Sequence, residues 1–151
     1  MKSFWLIEGE KLKMTKINIM DASAILAYLQ EETGEHIVEA ALEDAPCWIT
    51  TINACEVLSK LCEKGRPINE AQIQLYNLNL FIVDFDLDLA LRAAALRSLT
   101  SSFGASLGDR ACLAFAQRAA EQHSPVVYTT DHNWSKIKWP FKVTLLRSRK
   151  A

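Results

Sequence analysis

Four acids in this 151-residue chain, Asp21, Glu56, Asp109 and Asp131, stand where a folded backbone could gather them. Asp109 belongs to the stretch Ser106-Leu-Gly-Asp109-Arg-Ala-Cys-Leu-Ala-Phe-Ala116. A serine followed three residues later by an acid is a helix start signal, and the apolar run after it is too dense to face water. An acid on the first turn of a largely buried helix costs free energy unless a capping bond, a cation or both compensate it. Asp21 follows the apolar run 17–20, and Asp131 follows the run 125–130. Glu56 lies early in a helical stretch, three residues after Asn53. Each acid taken singly reads as a helix cap or a capping-box partner. Four carboxylates in one crevice would instead repel one another strongly enough to require a cation. Their hardness selects magnesium or manganese over zinc, at a site that keeps waters for an incoming phosphate.

Other catalytic devices are absent from the sequence. The five glycines are scattered and form no phosphate-binding loop, and neither Gly-x-Ser-x-Gly nor His-Glu-x-x-His occurs. His36, His123 and His132 read as surface residues, not as ligands. Cys47, Cys55, Cys62 and Cys112 include no Cys-x-x-Cys pair, so they read as small hydrophobes and argue against a zinc site.

The elements that must position the acids alternate. Strands are expected at 17–20, 47–51, 80–85, 125–130 and 142–146, and helices at 23–30, 34–44, 52–62, 70–79, 86–101 and from 106 onward. That alternation predicts an α/β domain with a mainly parallel central sheet flanked by helices on both faces. In such a sheet, ligands bind beyond the carboxyl ends of the strands, where the winding reverses. Asp21 and Asp131 stand at strand ends of that kind. The stripe Ala54, Val57, Leu58, Leu61 and Cys62 is the expected buried side of helix 52–62, which leaves Glu56 on the polar face with Lys60 and Glu63.

The chain is long enough for one domain with its own core, and 50% hydrophobic with 23% charged residues is ordinary globular composition. Its longest uncharged run, 71–83, is far short of the ~20 apolar residues of a membrane span. Residues 4–7 are too few for a signal-peptide core of roughly 7 to 15 residues, so the expected compartment is the cytoplasm. The net charge of -1 hides a split: residues 1–90 hold 15 acids and 7 basic residues, and 91–151 hold 3 acids and 10 basic residues. A basic flank beside an acidic site suits a polyanionic substrate; a solubilising tail is the plainer alternative.

Taken in order, Ile19-Met-Asp21-Ala-Ser23, Asn53-Ala-Cys-Glu56-Val-Leu-Ser-Lys, Ser106-Leu-Gly-Asp109-Arg-Ala-Cys-Leu-Ala and Thr129-Thr-Asp131-His-Asn-Trp134 resemble the four motifs of the PIN domain. The nearest likeness is to VapC-like ribonuclease toxins of bacterial toxin–antitoxin pairs, and it covers residues 17–147. The resemblance implies a three-layer sandwich and an endoribonuclease that hydrolyses RNA phosphodiesters. It implies Mg2+, with Mn2+ as a substitute, held chiefly by Asp21 and Asp109, with Glu56 and Asp131 completing an acidic pocket. Ser106 and Thr129 match hydroxyl positions that support those acids. Arg110, Lys136 and Lys138 are the expected RNA contacts, a small cognate antitoxin the expected inhibitor, and a homodimer the expected assembly.

Cys55 departs mildly from the small residue usual beside the glutamate. Residues 1–13 have no counterpart in the family. Residues 1–16 therefore read as an N-terminal extension and 148–151 as a basic tail. Residues 1–13 are expected to be poorly ordered, with translation beginning at Met14, because Glu8-Gly9-Glu10 requires a purine-rich stretch like a ribosome-binding site. Two other classes compete. A receiver-like phosphoacceptor domain would need adjacent acids after the first strand, where only Asp21 stands. A catalytically inactive PIN-like module binding RNA or protein is the other, and the presence of all four acids counts against it.

Overall fold

Ile17, Asn18, Ile19 and Met20 are consecutive buried positions. A strand covered on both faces belongs in the middle of a parallel sheet. The computed structural model, which describes residues 14–147, places it there. The chain runs β1 (Thr15–Met20), α1 (Ala22–Leu29), α2 (Glu35–Asp44), β2 (Cys47–Thr50), α3 (Thr51–Glu63), α4 (Ile68–Tyr76), β3 (Phe81–Val83), α5 (Leu87–Leu99), α6 (Leu107–Ala119), β4 (His123–Thr129) and β5 (Lys142–Leu145). Short 3-10 turns occur at Ser101–Phe103 and His132–Lys136. The strand order is β3-β2-β1-β4-β5 with every pairing parallel. That order is not the 2-1-3-4-5 of a flavodoxin-like receiver, which removes that class. No helix among the described residues is long and apolar enough to cross a membrane.

Alternation along β1 divides the core. Met20, with Ile49 of β2, packs under Ile25, Val38, Val57 and Leu75 from α1 to α4. Ile17 and Ile19, with Val127 of β4, pack under Leu89, Leu113 and Phe115 from α5 and α6 and against Trp134. Complete burial of a side chain such as Ile19 contributes about 1.5–3 kcal/mol. Asn18 is the polar exception among the buried residues of β1, and its Nδ2 donates to Ala41 O at 2.8 Å. Asp86 caps α5 by accepting from Leu89 N at 2.9 Å. Together with Asp88 it also receives Arg118 of α6, at 3.1 and 3.2 Å. These exposed pairs are individually weak.

Several boundaries differ from those the sequence suggests. β1 begins at Thr15, so Thr15 and Lys16 pair with His123 and Ser124 and do not extend the N-terminus. β3 is shorter than 80–85, and α4 starts at Ile68, directly after Pro67 at its N-cap. α3 is capped by Thr50, whose Oγ1 accepts from Asn53 N at 3.1 Å. Asn53 is therefore inside the helix, and no capping box joins it to Glu56. The expected disorder of residues 1–13, the start at Met14 and the tail at 148–151 lie outside the described residues.

From β1 the chain winds outward through β2 to β3, then returns to the other side of β1 for β4 and β5. The reversal opens a crevice at the carboxyl ends of β1 and β4. Gly34 helps hold that end together. It enters α2 at φ 95°, and a Cβ there would stand 2.5 Å from Leu146 O. Gly34→Ala is expected to lower the unfolding free energy by about 2 kcal/mol or more, since a left-handed conformation costs a non-glycine residue roughly 1–2 kcal/mol before any overlap. Urea denaturation checks this. A variant as stable as its parent would show that α2 and the end of β5 are not in close contact.

Candidate active site

Asp21 is the first residue past β1 and is 5% exposed. Its Oδ1 accepts from Ala22 N at 2.9 Å, capping α1. Its Oδ2 accepts from Ser23 Oγ at 2.7 Å and from Thr129 Oγ1 at 2.8 Å. The two hydroxyls are themselves placed by the neighbouring strand end: Thr130 N donates to Ser23 Oγ, and Asp131 N donates to Thr129 Oγ1, each at 3.1 Å. Burial pushes the Asp21 carboxyl up to about 6, and the charge of Asp109 adds to that. The bonds from Ser23, Thr129 and Ala22 pull the other way.

Asp109 reaches the same region from the start of α6. Ser106 Oγ accepts from Asp109 N at 3.1 Å, and Asp109 Oδ2 accepts from Ser106 N at 2.9 Å, which closes a capping box. Burial raises its pKa, the charge of Asp131 raises it further, and the Ser106 bonds and Arg110 oppose the shift.

Glu56 is not on a solvated polar face. It is half-buried, with its carboxylate lying against Gly108 in the first turn of α6. Burial, then the charges of Asp21 and Asp109, push it up to about 7, against a favourable contribution from Asn53. The buried Cys112 thiol, beneath this group on α6, is raised by burial and then by Asp21, Asp109 and Glu56 together. One sulfur thus senses the field of three acids. Asp131 enters beside Thr129, accepts from Asn133 N at 2.9 Å through Oδ1, and begins the His132–Lys136 turn.

The basic residues behave differently from one another. Arg110 does not stand free beside Asp109: its Nη1 donates to Ala93 O at 3.0 Å, so it braces α6 against α5. Lys136 is exposed and donates to Asn133 Oδ1 at 3.0 Å, and Lys138 is exposed nearby. Three residues of the centre have roles that the sequence does not assign to them. Ser23 orients Asp21, Asn53 donates from Nδ2 to Gly108 O at 3.0 Å, and Gly108 makes room for Glu56. Of these, only Gly108 carried a signal, a glycine placed inside a helical first turn.

Among the described residues no lysine or arginine forms an ion pair with any of the four acids. No group of three or more His, Cys, Asp or Glu side chains among them is already arranged as a metal cage. Asp109 Oδ2 is occupied by its cap, and the oxygens of Asp21 by the donors named above. By donor type and charge the set nevertheless fits a divalent cation with oxygen ligands, and the Asp109 cap is the bond in competition with it. Cavities of about 410, 700 and 590 Å3 lie elsewhere and are lined by none of the four acids.

Over residues 19–140 the sequence matches the family model described as PIN domain. Among solved structures the chain is similar to DNA-bound VapBC from Salmonella typhimurium, with a TM-score of 0.64 and 16% identity over 89% of this chain and 100% of that one. It is similar to VapBC2 from Rickettsia felis bound to a promoter DNA fragment, at 0.63 and 15% over 85% and 98% of the two chains. It is also similar to FitAcB from Neisseria gonorrhoeae, at 0.59 and 23% over 85% and 97%. At such identities the likeness is one of fold. No curated protein matches the sequence.

The raised carboxyls have a consequence for stability. Asp21 and Glu56 ionise near pH 4 in an unfolded chain but only near 6 and 7 in the folded one, so the folded chain holds more protons between those values. Their contribution is complete below about pH 4 and is lost as pH rises through 6 and 7. Glu56→Gln removes one of the charges, so its melting temperature in metal-free buffer is expected to gain on the parent between pH 5 and pH 8. Parallel thermal melts test this, and a difference that does not grow with pH would contradict the repulsion.

Proposed function

The chain belongs to the PIN-domain family, and from that premise we propose that it is a metal-dependent endoribonuclease of the VapC toxin kind, held inactive by a small cognate antitoxin. The observation that carries this reading is the meeting of Asp21, Glu56 and Asp109 beyond the carboxyl ends of β1 and β4, within reach of one another's charge, with Asp131 acting on Asp109. Asp21 and Asp109 would hold Mg2+ or Mn2+. When bound, such an ion supplies charge neutralisation and polarisation of the phosphodiester.

The chain's own side chains do the rest. Glu56, whose carboxyl titrates near neutrality, is suited to take a proton from the attacking water. Asp131, whose charge reaches Asp109, would complete the acidic pocket. Ser23 and Thr129 hold the Asp21 oxygens, and Ser106 holds Asp109. Exposed Lys136 and Lys138 would meet the RNA backbone, so binding should weaken as salt rises. Arg110 is left out of that role because its guanidinium is bound to α5.

An acidic pocket also attracts a guanidinium, so an antitoxin that lodges an arginine among the four acids would compete with the cation. One similar structure is a toxin–antitoxin complex from Klebsiella pneumoniae, which supports looking for such a partner here. A homodimer and a cytoplasmic location complete the proposal.

Water, and not the ribose 2'-hydroxyl, is the nucleophile in this scheme. Cleavage is therefore expected to leave 5'-phosphate and 3'-hydroxyl ends and to stop in EDTA. Asp109→Asn is expected to lower the rate by about 100-fold or more with an unchanged circular dichroism spectrum. Undiminished cutting in excess EDTA, or 2',3'-cyclic phosphate ends, would each overturn the mechanism.

A further inference from the structure

Gly108 is an unexpected residue for its position. It lies buried in the first turn of α6, where glycine costs roughly 1 kcal/mol relative to alanine. Its φ is not positive, so backbone conformation does not demand it. What excludes a side chain is Glu56. A Cβ on residue 108 would overlap Glu56 Oε1 and stand 2.5 Å from Cδ and 3.0 Å from Oε2. The Glu56 carboxylate thus occupies the space that any larger residue would fill, beside the positive end of α6.

Asn53 secures the opposite side of this seat. It is fully buried in the first turn of α3, and Thr50, not Asn53, caps that helix. Its side chain is spent elsewhere: Oδ1 accepts from Thr50 Oγ1 at 2.6 Å, and Nδ2 donates to Gly108 O at 3.0 Å. A single buried amide therefore spans the end of β2, the start of α3 and the start of α6. It sets the distance between the helix that carries Glu56 and the peptide on which the Glu56 carboxylate rests.

We propose that Gly108 and Asn53 are positioning residues for Glu56: the absent side chain at 108 forms the seat, and the Asn53–Gly108 bond spaces it, so that a third carboxylate joins Asp21 and Asp109. This inference rests on the reading of those acids as the cation-holding centre. Because the atoms in the way belong to the far end of a flexible side chain, Gly108→Ala displaces the carboxylate and leaves the fold in place.

The test uses the full chain. A metal-free crystal structure of Gly108→Ala is expected to show the Glu56 carboxylate turned away from residue 108 on an unmoved α6. Calorimetric titration with Mn2+ is expected to give an affinity about 10-fold weaker for Gly108→Ala and for Glu56→Gln alike, with the double variant no weaker than either. Asn53→Ala should weaken Mn2+ binding only while Glu56 is present. Glu56 remaining against Ala at 108 with α6 shifted, or losses that add in the double variant, would overturn the proposal. If Glu56→Gln binds Mn2+ as the parent does, the reading of the acids fails instead, and the crystal structure alone then decides the seat.

Discussion

Keeping a carboxylate buried at the end of the central strand is the constraint on which the rest of this molecule depends. Asp21 is 5% exposed and stands amid core residues, where an unpaired charge would be prohibitive. The fold tolerates it by surrounding it with donors from three places: the first turn of α1, Ser23 one residue further along, and Thr129 at the end of β4. These donors oppose the effect of burial without cancelling it, and the carboxyl still titrates near 6. Buried charge that persists after its hydrogen bonds are satisfied is characteristic of functional centres.

The parallel topology explains why the other acids arrive at the same place. β1 and β4 are adjacent and parallel, so their ends, and with them Asp21 and Asp131, project to one side. α6 precedes β4 and so begins at that side, which brings Asp109 to it on a first turn. α3 follows β2 and starts there too, carrying Glu56 on its second turn. Hydrophobic burial holds these elements in register, with Ile19 and Val127 under α6 and Met20 and Ile49 under α1 and α3. The apolar core thus supplies the free energy that offsets the clustering of like charges at the rim.

Much of this was legible in the sequence, for identifiable reasons. Short apolar runs ending on an acid marked β1 and β4, and Ser106-x-x-Asp109 marked the start of α6. The sequence puts Glu56 on the polar face because the apolar stripe of α3 reports only what packs against the helix most extensively. α6 touches α3 on a different flank, through its first turn, and one helix's periodicity cannot reveal that second neighbour. From the sequence Arg110 reads as an RNA contact because it adjoins Asp109. Consecutive residues on a helix point about 100° apart, so its guanidinium meets Ala93 on α5 instead. Asn53 reads as a cap from the sequence because Thr50 ends the strand and is also the cap of α3. Asn53 reaches Gly108 and Ser23 accepts from Thr130 N across long stretches of chain, and spacing along the sequence holds no record of those two bonds.

The coupling among the acids can be measured directly by titrating Mn2+ into metal-free protein at pH 6.5 in two buffers of different ionisation enthalpy. Near that pH Asp21 and Glu56 are partly protonated, with carboxyls at about 6 and about 7. A cation entering among them should expel those protons, so the apparent binding enthalpy is expected to differ between the buffers, with net proton release that disappears in Asp21→Asn/Glu56→Gln. Binding with no proton release, or no binding by the parent, would contradict a cation centre built on these carboxylates.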